Sequence, residues 1–148
     1  MTERQEVRFN FYNKSADIIG RDVTFPFNEV DFNEGGGTYD LSTYEYTIPV
    51  DGTYLLGLSY VKALAESNEA AIVGIILIRN GATTILNRSQ NTERNSNQQT
   101  IKSCLVFQFL KGDILFCRCI FAQEPRMNNT AYTTDDIYNS FWGIRLDY

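Results

Sequence analysis

The chain has 148 residues, of which 14% are aromatic and 21% charged, and its formal net charge is −5. This length predicts one domain with a sizeable core, and the aromatic content argues against disorder. The negative charge opposes binding to nucleic acid or to an anionic membrane. Because the chain has no histidine, it lacks the base of Ser-His and Cys-His catalysis, and we predict that the protein is not an enzyme.

The N-terminal part of the chain predicts two strands and a glycine loop. Apolar and polar residues alternate from Val7 to Tyr12, as in a half-buried strand. Val23 to Asn33 predicts an irregular strand, at a sheet edge or with a bulge, because Pro26 cannot donate to a strand ladder. The three glycines from Gly35 to Gly37 then predict a loop whose backbone adopts positive φ.

Two strands around a turn form the centre of the predicted sheet. Tyr44 to Ile48 alternates as a strand does, and Pro49 to Gly52 ends it with a turn sequence. The strand after the turn is largely apolar on both faces, so we expect it in the middle of a sheet. One face of that strand carries Tyr54, Leu56, Leu58 and Tyr60, and the other carries Leu55, Gly57, Ser59 and Val61.

The rest of the chain predicts further strands separated by polar loops. The predicted loops are 63–71, Asn87 to Gln99 and Ala122 to Tyr138. About ten short strands without a convincing helix predict an all-β sandwich or jelly roll. The remaining predicted strands are Ile72 to Arg79, Thr83 to Leu86, Thr100 to Phe109, Ile114 to Phe121 and Phe141 to Leu146.

Several motifs follow one another in order: Phe27, Asn33, Tyr39-Asp40, Tyr46, Pro49, Gly52, Tyr54, Arg79-Asn80-Gly81, Leu110-Lys111-Gly112-Asp113 and Ser140-Phe141-Trp142-Gly143. Together they resemble the globular head of complement component 1q, a jelly-roll domain of the tumour necrosis factor type. The resemblance implies a ten-stranded jelly-roll sandwich of two antiparallel sheets. It covers Val23 to Tyr148 of a single domain spanning 1–148, with Met1 to Asp22 as the first strand and N-terminal segment. The triple glycine is one residue longer than the family spacing.

The resemblance also implies a function. It indicates a homotrimer that binds carbohydrate or other pathogen surface patterns in innate immunity, as a lectin does. No Gly-X-Y stalk is present, so we expect a stalkless head. Two alternatives stay open: a structural or adhesive building block of a coat, matrix or secretion, and a cytokine-like ligand of a receptor. The expected partners are further copies of the chain and a glycan or other surface ligand.

The localisation signals favour a secreted protein. Acceptor patterns for N-glycosylation occur at Asn13, Asn87 and Asn128, all in predicted loops. The first residues lack the apolar core of a signal peptide, so an intracellular location stays open. No apolar run is long enough for a transmembrane helix, and we expect no membrane insertion.

A trimer buries side chains between subunits that a lone domain would expose. The central and terminal strands carry large side chains on both faces, which fits one face for the core and one for a neighbour. Cys104 has the strand parity of Val106 and is expected at an interface or near the surface. The predicted interface residues are Tyr54, Leu55, Cys104, Phe141, Trp142, Ile144 and Arg145.

The three cysteines predict no disulfide within the chain. An odd count does not suggest a closed disulfide framework. Cys117 and Cys119 share a strand face with Leu115, which predicts small core residues. They are also two residues apart on one strand, too distant for unstrained disulfide geometry.

Two polar loops, Asn87 to Gln99 and Ala122 to Tyr138, form the predicted ligand site, since recognition usually falls to loops on a strand scaffold. Amide and guanidinium groups offer hydrogen bonds to a sugar, and tyrosine offers a ring for stacking. Calcium is a candidate cofactor because some members of the family bind it, but no segment has calcium-loop spacing, and the residues that would hold a metal stay unknown. The predicted ligand residues are Asn91, Arg94, Asn95, Gln98, Arg126, Asn128, Tyr132, Asp135, Asp136 and Tyr138.

Overall fold

The computed structural model describes residues 5–13, 17–18, 24–62, 71–91, 99–121, 126–127 and 139–147. In these ranges the chain forms thirteen strand segments and no helix. A helix that could span a membrane is therefore absent from the described residues. The strands are β1 (Arg8–Asn13), β2 (Asp17–Ile18), β3 (Glu29–Glu34), β4 (Thr38–Asp40), β5 (Glu45–Thr47), β6 (Gly52–Lys62), β7 (Ala71–Arg79), β8 (Ala82–Ile85), β9 (Ser89–Asn91), β10 (Gln99–Phe109), β11 (Ile114–Phe121), β12 (Arg126–Met127) and β13 (Asn139–Arg145).

The strands build two antiparallel sheets. The first has the order β3-β1-β13-β6-β10, with β12 pairing the end of β6 and β2 pairing β12. The second has the order β4-β5-β11-β7, and both β8 and β9 pair the free edge of β7. The strand β6 thus lies inside its sheet, as its two apolar faces predicted.

The core lies between the two sheets and is rich in aromatic rings. On β6, the four residues predicted to share one face are all buried, which confirms the alternation. Phe9 of β1 packs against Tyr46 of β5 with ring centroids 4.0 Å apart, and Phe11 stacks on Tyr39 of β4 at 3.7 Å. These ring pairs join the two sheets. Each pair stabilises the fold beyond the contribution of the apolar area that it buries. Other fully buried rings are Phe25, Phe27, Tyr54, Tyr60, Phe109 and Phe141.

The irregular strand predicted around Pro26 divides into two parts. The first part leaves the first sheet, and the Phe25 amide donates to the Cys117 carbonyl oxygen of β11 at 2.8 Å. The second part is β3, which lies at the sheet edge with an irregular register against Asn10 and Phe11. Gly35 and Gly36 then have positive φ, as the sequence predicted, whereas Gly37 does not.

Four short segments, β2, β4, β9 and β12, lie outside the predicted strands. They have two or three residues each, and two of them fall in stretches predicted as loops. The segment β9 shows why. Its sequence Ser-Gln-Asn has no apolar residue, but its backbone pairs with β7 and the Ser89 hydroxyl donates to the Lys102 carbonyl oxygen at 3.1 Å. Pairing with a neighbouring strand determines whether such a short segment is a strand, and its own composition does not show this.

The hydroxyl of Tyr46 gives a first testable prediction. It is buried against Gly37 and has no hydrogen-bond partner within the described ranges. Burial is the main reason that its pKa is raised, and the nearby Tyr54 adds to the effect. Tyr39, in contrast, donates its hydroxyl to the Phe27 carbonyl oxygen at 2.8 Å. We therefore expect Tyr46→Phe to raise the free energy of unfolding by up to about 1 kcal/mol and Tyr39→Phe to lower it by about 1 kcal/mol.

Urea unfolding of both variants beside the wild type measures this difference. The two substitutions remove the same atom, so each serves as the control for the other. Equal losses in the two variants would show that the Tyr46 hydroxyl has a partner.

Candidate functional site

The ends of the strands that border the predicted ligand loops come together. In the first sheet, Lys62 at the end of β6 pairs with Gln99 of β10 and Met127 of β12. In the second sheet, Ala71 at the start of β7 pairs with Asn91 at the end of β9. We call this the loop end of the sandwich. The two stretches predicted to bind ligand therefore both leave the fold from the same end.

The predicted ligand residues can be placed only in part. The backbones of β9 and β12 put Asn91 and Arg126 at the loop end. Arg94, Asn95, Gln98, Asn128, Tyr132, Asp135, Asp136 and Tyr138 lie outside the described residues.

The opposite end of the sandwich is closed by hydrogen bonds between distant parts of the chain. The Arg145 guanidinium donates to the carbonyl oxygens of Asp51 at 3.0 Å and Gln5 at 3.1 Å. The Asp147 carboxylate accepts the Thr53 amide at 2.7 Å. We call this the closed end. Arg145, predicted at a subunit interface, is thus already engaged within its own domain.

An ion pair near the closed end ties the second sheet to the turn between β10 and β11. Arg79 of β7 lies 2.6 Å from Asp113, whose side chain is almost fully buried. The same carboxylate accepts the Leu110 amide at 2.8 Å. Burial alone would raise the pKa of Asp113, but the hydrogen bonds from Arg79 and from the Leu110 amide outweigh it and hold that pKa below its ordinary value.

The outer face of the first sheet carries a row of apolar side chains. Val106 of β10 is opposite Leu55 of β6, and Leu55 is opposite Ile144 of β13. Val106 is 59% exposed, and the other two are half-buried. We call these three residues the apolar row. Arg8 continues it on β1 and forms an ion pair with Glu34 of β3 at 2.6 Å. Val106 was not among the predicted interface residues, although its parity with Cys104 puts both on the outer face.

The structure corrects two of the predicted interface residues. Tyr54 is 0% exposed and Phe141 1% exposed, because both side chains point into the core between the sheets. They cannot contact a neighbouring subunit while the domain is folded. Leu55, Trp142 and Ile144 lie on the outer face, and with Cys104 and Arg145 they stay predictions for the interface.

The cysteines and the glycosylation acceptors are also placed. Cys104 is exposed, Cys117 is buried, both are free, and burial raises the pKa of the Cys117 thiol. The side chain of Cys119 lies outside the described residues.

Asn13, predicted in a loop, instead ends β1 and is buried with its amide donating to the Pro26 carbonyl oxygen. A glycan on Asn13 is incompatible with this packing.

Asn87 joins the two sheets through its side chain. Its carbonyl oxygen accepts the Ile75 amide of β7 at 3.1 Å, and its amide group donates to the Ser103 hydroxyl of β10. Asn128, the third acceptor, lies outside the described residues.

The bridging role of Asn87 gives a second prediction. We expect Asn87→Ala to lower the free energy of unfolding by about 2 kcal/mol, because two part-buried bonds are lost and their partners stay unpaired. Ser89→Ala removes the same acceptor pattern but only one exposed hydrogen bond, and should cost under about 1 kcal/mol. Thermal unfolding of both variants tests this, and equal losses would contradict the bridging role.

No group of three or more Asp, Glu or Cys side chains converges as a metal site within the described ranges.

The comparisons with known proteins concern the fold. A scan against models of protein families finds no match, and no curated protein matches significantly in sequence.

Solved structures are similar over almost the whole chain. The Eiger TNF of S. frugiperda superposes with a TM-score of 0.77 at 11% identity, covering 97% of this chain and 94% of that one. Murine APRIL at pH 5.0 gives 0.71 at 13% identity, with 96% and 100% covered. The globular domain of zebrafish complement 1qA gives 0.64 at 14% identity, with 97% and 98% covered. The chain therefore has the jelly-roll fold of TNF-like and complement 1q globular domains, which confirms the fold predicted from its sequence.

Proposed function

We propose that the protein is a non-enzymatic, homotrimeric and extracellular recognition module that binds carbohydrate or other surface patterns through the loop end. The observation that carries this proposal is that the two ends of the sandwich differ. One end is closed by the hydrogen bonds that Arg145 donates and Asp147 accepts, and the two long polar loops leave from the other end. The likeness to TNF and complement 1q domains supports a role in binding, although a fold alone does not fix a ligand.

The two lateral edges of the sandwich support a trimer. The edge strand β3 carries the carboxylates of Glu29, Asp31 and Glu34, which repel a second copy of the same edge. The edge strand β8, with the sequence Ala-Thr-Thr-Ile, is exposed and uncharged. An uncharged edge and the apolar row are different surfaces of one domain. A contact between them is head-to-tail, and such a contact forms a closed ring of three subunits when each subunit is rotated by one third of a turn relative to the last.

The assembly can be measured directly. Native mass spectrometry at micromolar concentration should show one species of three times the 16.9 kDa chain mass. A monomer that persists at the highest soluble concentration would refute the trimer.

A glycan array with the purified protein tests recognition. We expect saturable binding that weakens by more than about 1 kcal/mol in Arg94→Ala and in Tyr132→Ala, since each loses a hydrogen bond or a stacking surface. Lys111→Ala, in the exposed turn between β10 and β11 near the closed end, is the matched control and should bind as the wild type does. If both loop variants bind normally while folded, the loops are not the site.

The alternative functions predict other outcomes. Assembly of the purified protein beyond three subunits would favour a structural building block. A single saturable protein receptor, without binding to any glycan, would favour a cytokine-like ligand. Either result would replace the carbohydrate proposal.

A further inference from the structure

A pocket of about 180 Å³ lies at the corner where the outer face of the first sheet meets the closed end. Arg8 of β1 and Ile144 of β13, which lie opposite each other, form its side on the sheet, and Gln5 and Asp147 form its side on the closed end. Its volume gives room for one large side chain. We call it the closed-end pocket. It shares Ile144 with the apolar row, so it continues the surface that the proposed trimer would cover.

The lining of the pocket selects no ion of either sign. Its four charged side chains, Glu6, Arg8, Arg145 and Asp147, carry two charges of each sign. Three of them already have partners within the domain, because Arg8 forms an ion pair with β3, Arg145 donates to backbone carbonyl oxygens and Asp147 accepts a backbone amide. The arginines therefore offer the pocket mainly their methylene stems, which pack well against apolar groups. The pocket suits an uncharged, apolar side chain.

The exposed side chain of Leu110 has the size, the chemistry and the position to be that occupant. Leu110 is 44% exposed and directly follows β10 at the closed end, where Phe109 is opposite Gly52. Two hydrogen bonds with Asp113 fix its backbone. The Leu110 amide donates to the carboxylate at 2.8 Å, and the Asp113 amide donates to the Leu110 carbonyl oxygen at 3.0 Å. A side chain on a backbone that is already fixed loses less freedom when a partner buries it.

Leu110 does not reach the pocket of its own chain. The strands follow one another in the order β1-β13-β6-β10, so the pocket at β1 and β13 lies at least two strands, roughly 10 Å, from β10. The chain after Leu110 also turns away from this face, into β11 of the second sheet. A leucine side chain is too short for that distance. Leu110 fills such a pocket only on a second copy of the chain.

We propose that Leu110 of each subunit fills the closed-end pocket of the next subunit in the proposed trimer. This inference rests on the proposed trimer and adds the side chain that fixes how neighbouring subunits are placed. Leu110 belongs to the same lateral edge as β8, because Arg79 binds the turn after β10 and is opposite Ala82, the first residue of β8. The contact therefore extends the head-to-tail contact between that edge and the apolar row.

The position of this contact also orients the trimer. Pocket and occupant both lie at the closed end, so a threefold axis roughly parallel to the strands brings them together at one height. All three closed ends then lie side by side, and all three loop ends point the other way. Three loop ends that face one surface can bind it together, which raises the avidity above the affinity of one site.

Sedimentation equilibrium of Leu110→Ala beside the wild type tests the contact. We expect the variant to stay folded and to associate at least about tenfold more weakly at each contact, because most of the apolar area that Leu110 buries is lost. Leu41→Ala, the same substitution at an exposed leucine in the turn before β5, is the matched control and should associate as the wild type does. Circular dichroism checks that both variants fold.

A double-mutant cycle tests whether the closed-end pocket is the place where Leu110 binds. When Ile144→Ala has removed part of the pocket wall, Leu110→Ala should weaken association clearly less than it does in the wild type. In a Leu55→Ala background its effect should stay unchanged, because Leu55 lies in the apolar row but does not line the pocket. Equal effects in the two backgrounds would refute the pocket as the site.

Failure of this contact and failure of the trimer give different results. A trimeric wild type with an equally trimeric Leu110→Ala would overturn the contact and leave the trimer in place. A wild type that stays monomeric at the highest soluble concentration would refute the trimer, and the contact with it.

Discussion

Leu55→Asp is expected to turn the proposed trimer into a monomer that remains folded. Leu55 is the middle residue of the apolar row, between Val106 and Ile144. A carboxylate buried there between subunits would have no partner, and the resulting penalty of several kcal/mol should weaken association by about a thousandfold or more. The side chain points away from the core, so the domain itself should keep its fold.

Light scattering over a range of protein concentrations measures this loss, and circular dichroism checks the fold. Leu41→Asp is the matched control, because Leu41 is 53% exposed in the turn before β5 and lies far from the apolar row. If Leu55→Asp stays trimeric, or if Leu41→Asp dissociates as readily, the apolar row is not the contact.

Asp113→Ala is expected to lower the free energy of unfolding by about 3 kcal/mol at neutral pH. The substitution removes the ion pair with Arg79 and the bond from the Leu110 amide, and it leaves Arg79 part-buried without its partner. Glu34→Ala is the control for an exposed pair, since both Arg8 and Glu34 are about half exposed, and it should cost under about 0.5 kcal/mol. Urea unfolding compares the three proteins.

The advantage of Asp113 should also depend on pH. Its pKa is lower in the folded than in the unfolded protein, so the carboxylate stabilises the fold at every pH above its unfolded value of about 4. Below about pH 4 the advantage should shrink as the pH falls through the folded-state pKa. Urea midpoints of wild type and Asp113→Ala between neutral pH and pH 3 should therefore converge. A constant difference would mean that the Asp113 charge does not contribute.

The sequence predicted the strands well but not which face of each strand points inwards. Alternation put Tyr54 and Leu55 on opposite faces of β6, yet both were assigned to a subunit interface, and only Leu55 is on the outer face. The same happened with Phe141 and Trp142 on β13. Period-two alternation separates two faces, and when both are apolar it cannot show which one packs on the second sheet. That requires the pairing of strands that are distant in the sequence.

The candidate sites were predicted to different extents. The loops could be recognised because they interrupt the strand pattern with polar residues. The apolar row could not, because Val106, Leu55 and Ile144 lie on three different strands and only the register brings them together.

The closed end has a practical consequence for presenting the protein on a surface. Gln5 and Asp147 both lie there, held by Arg145 and Thr53, while β6 spans 11 residues, roughly 33 Å, to the loop end. A linker or affinity tag joined near either residue would therefore attach the domain by its closed end. Sensor chips made in this way would display every loop end to the solution in one orientation, whereas coupling through lysines would attach copies in several orientations.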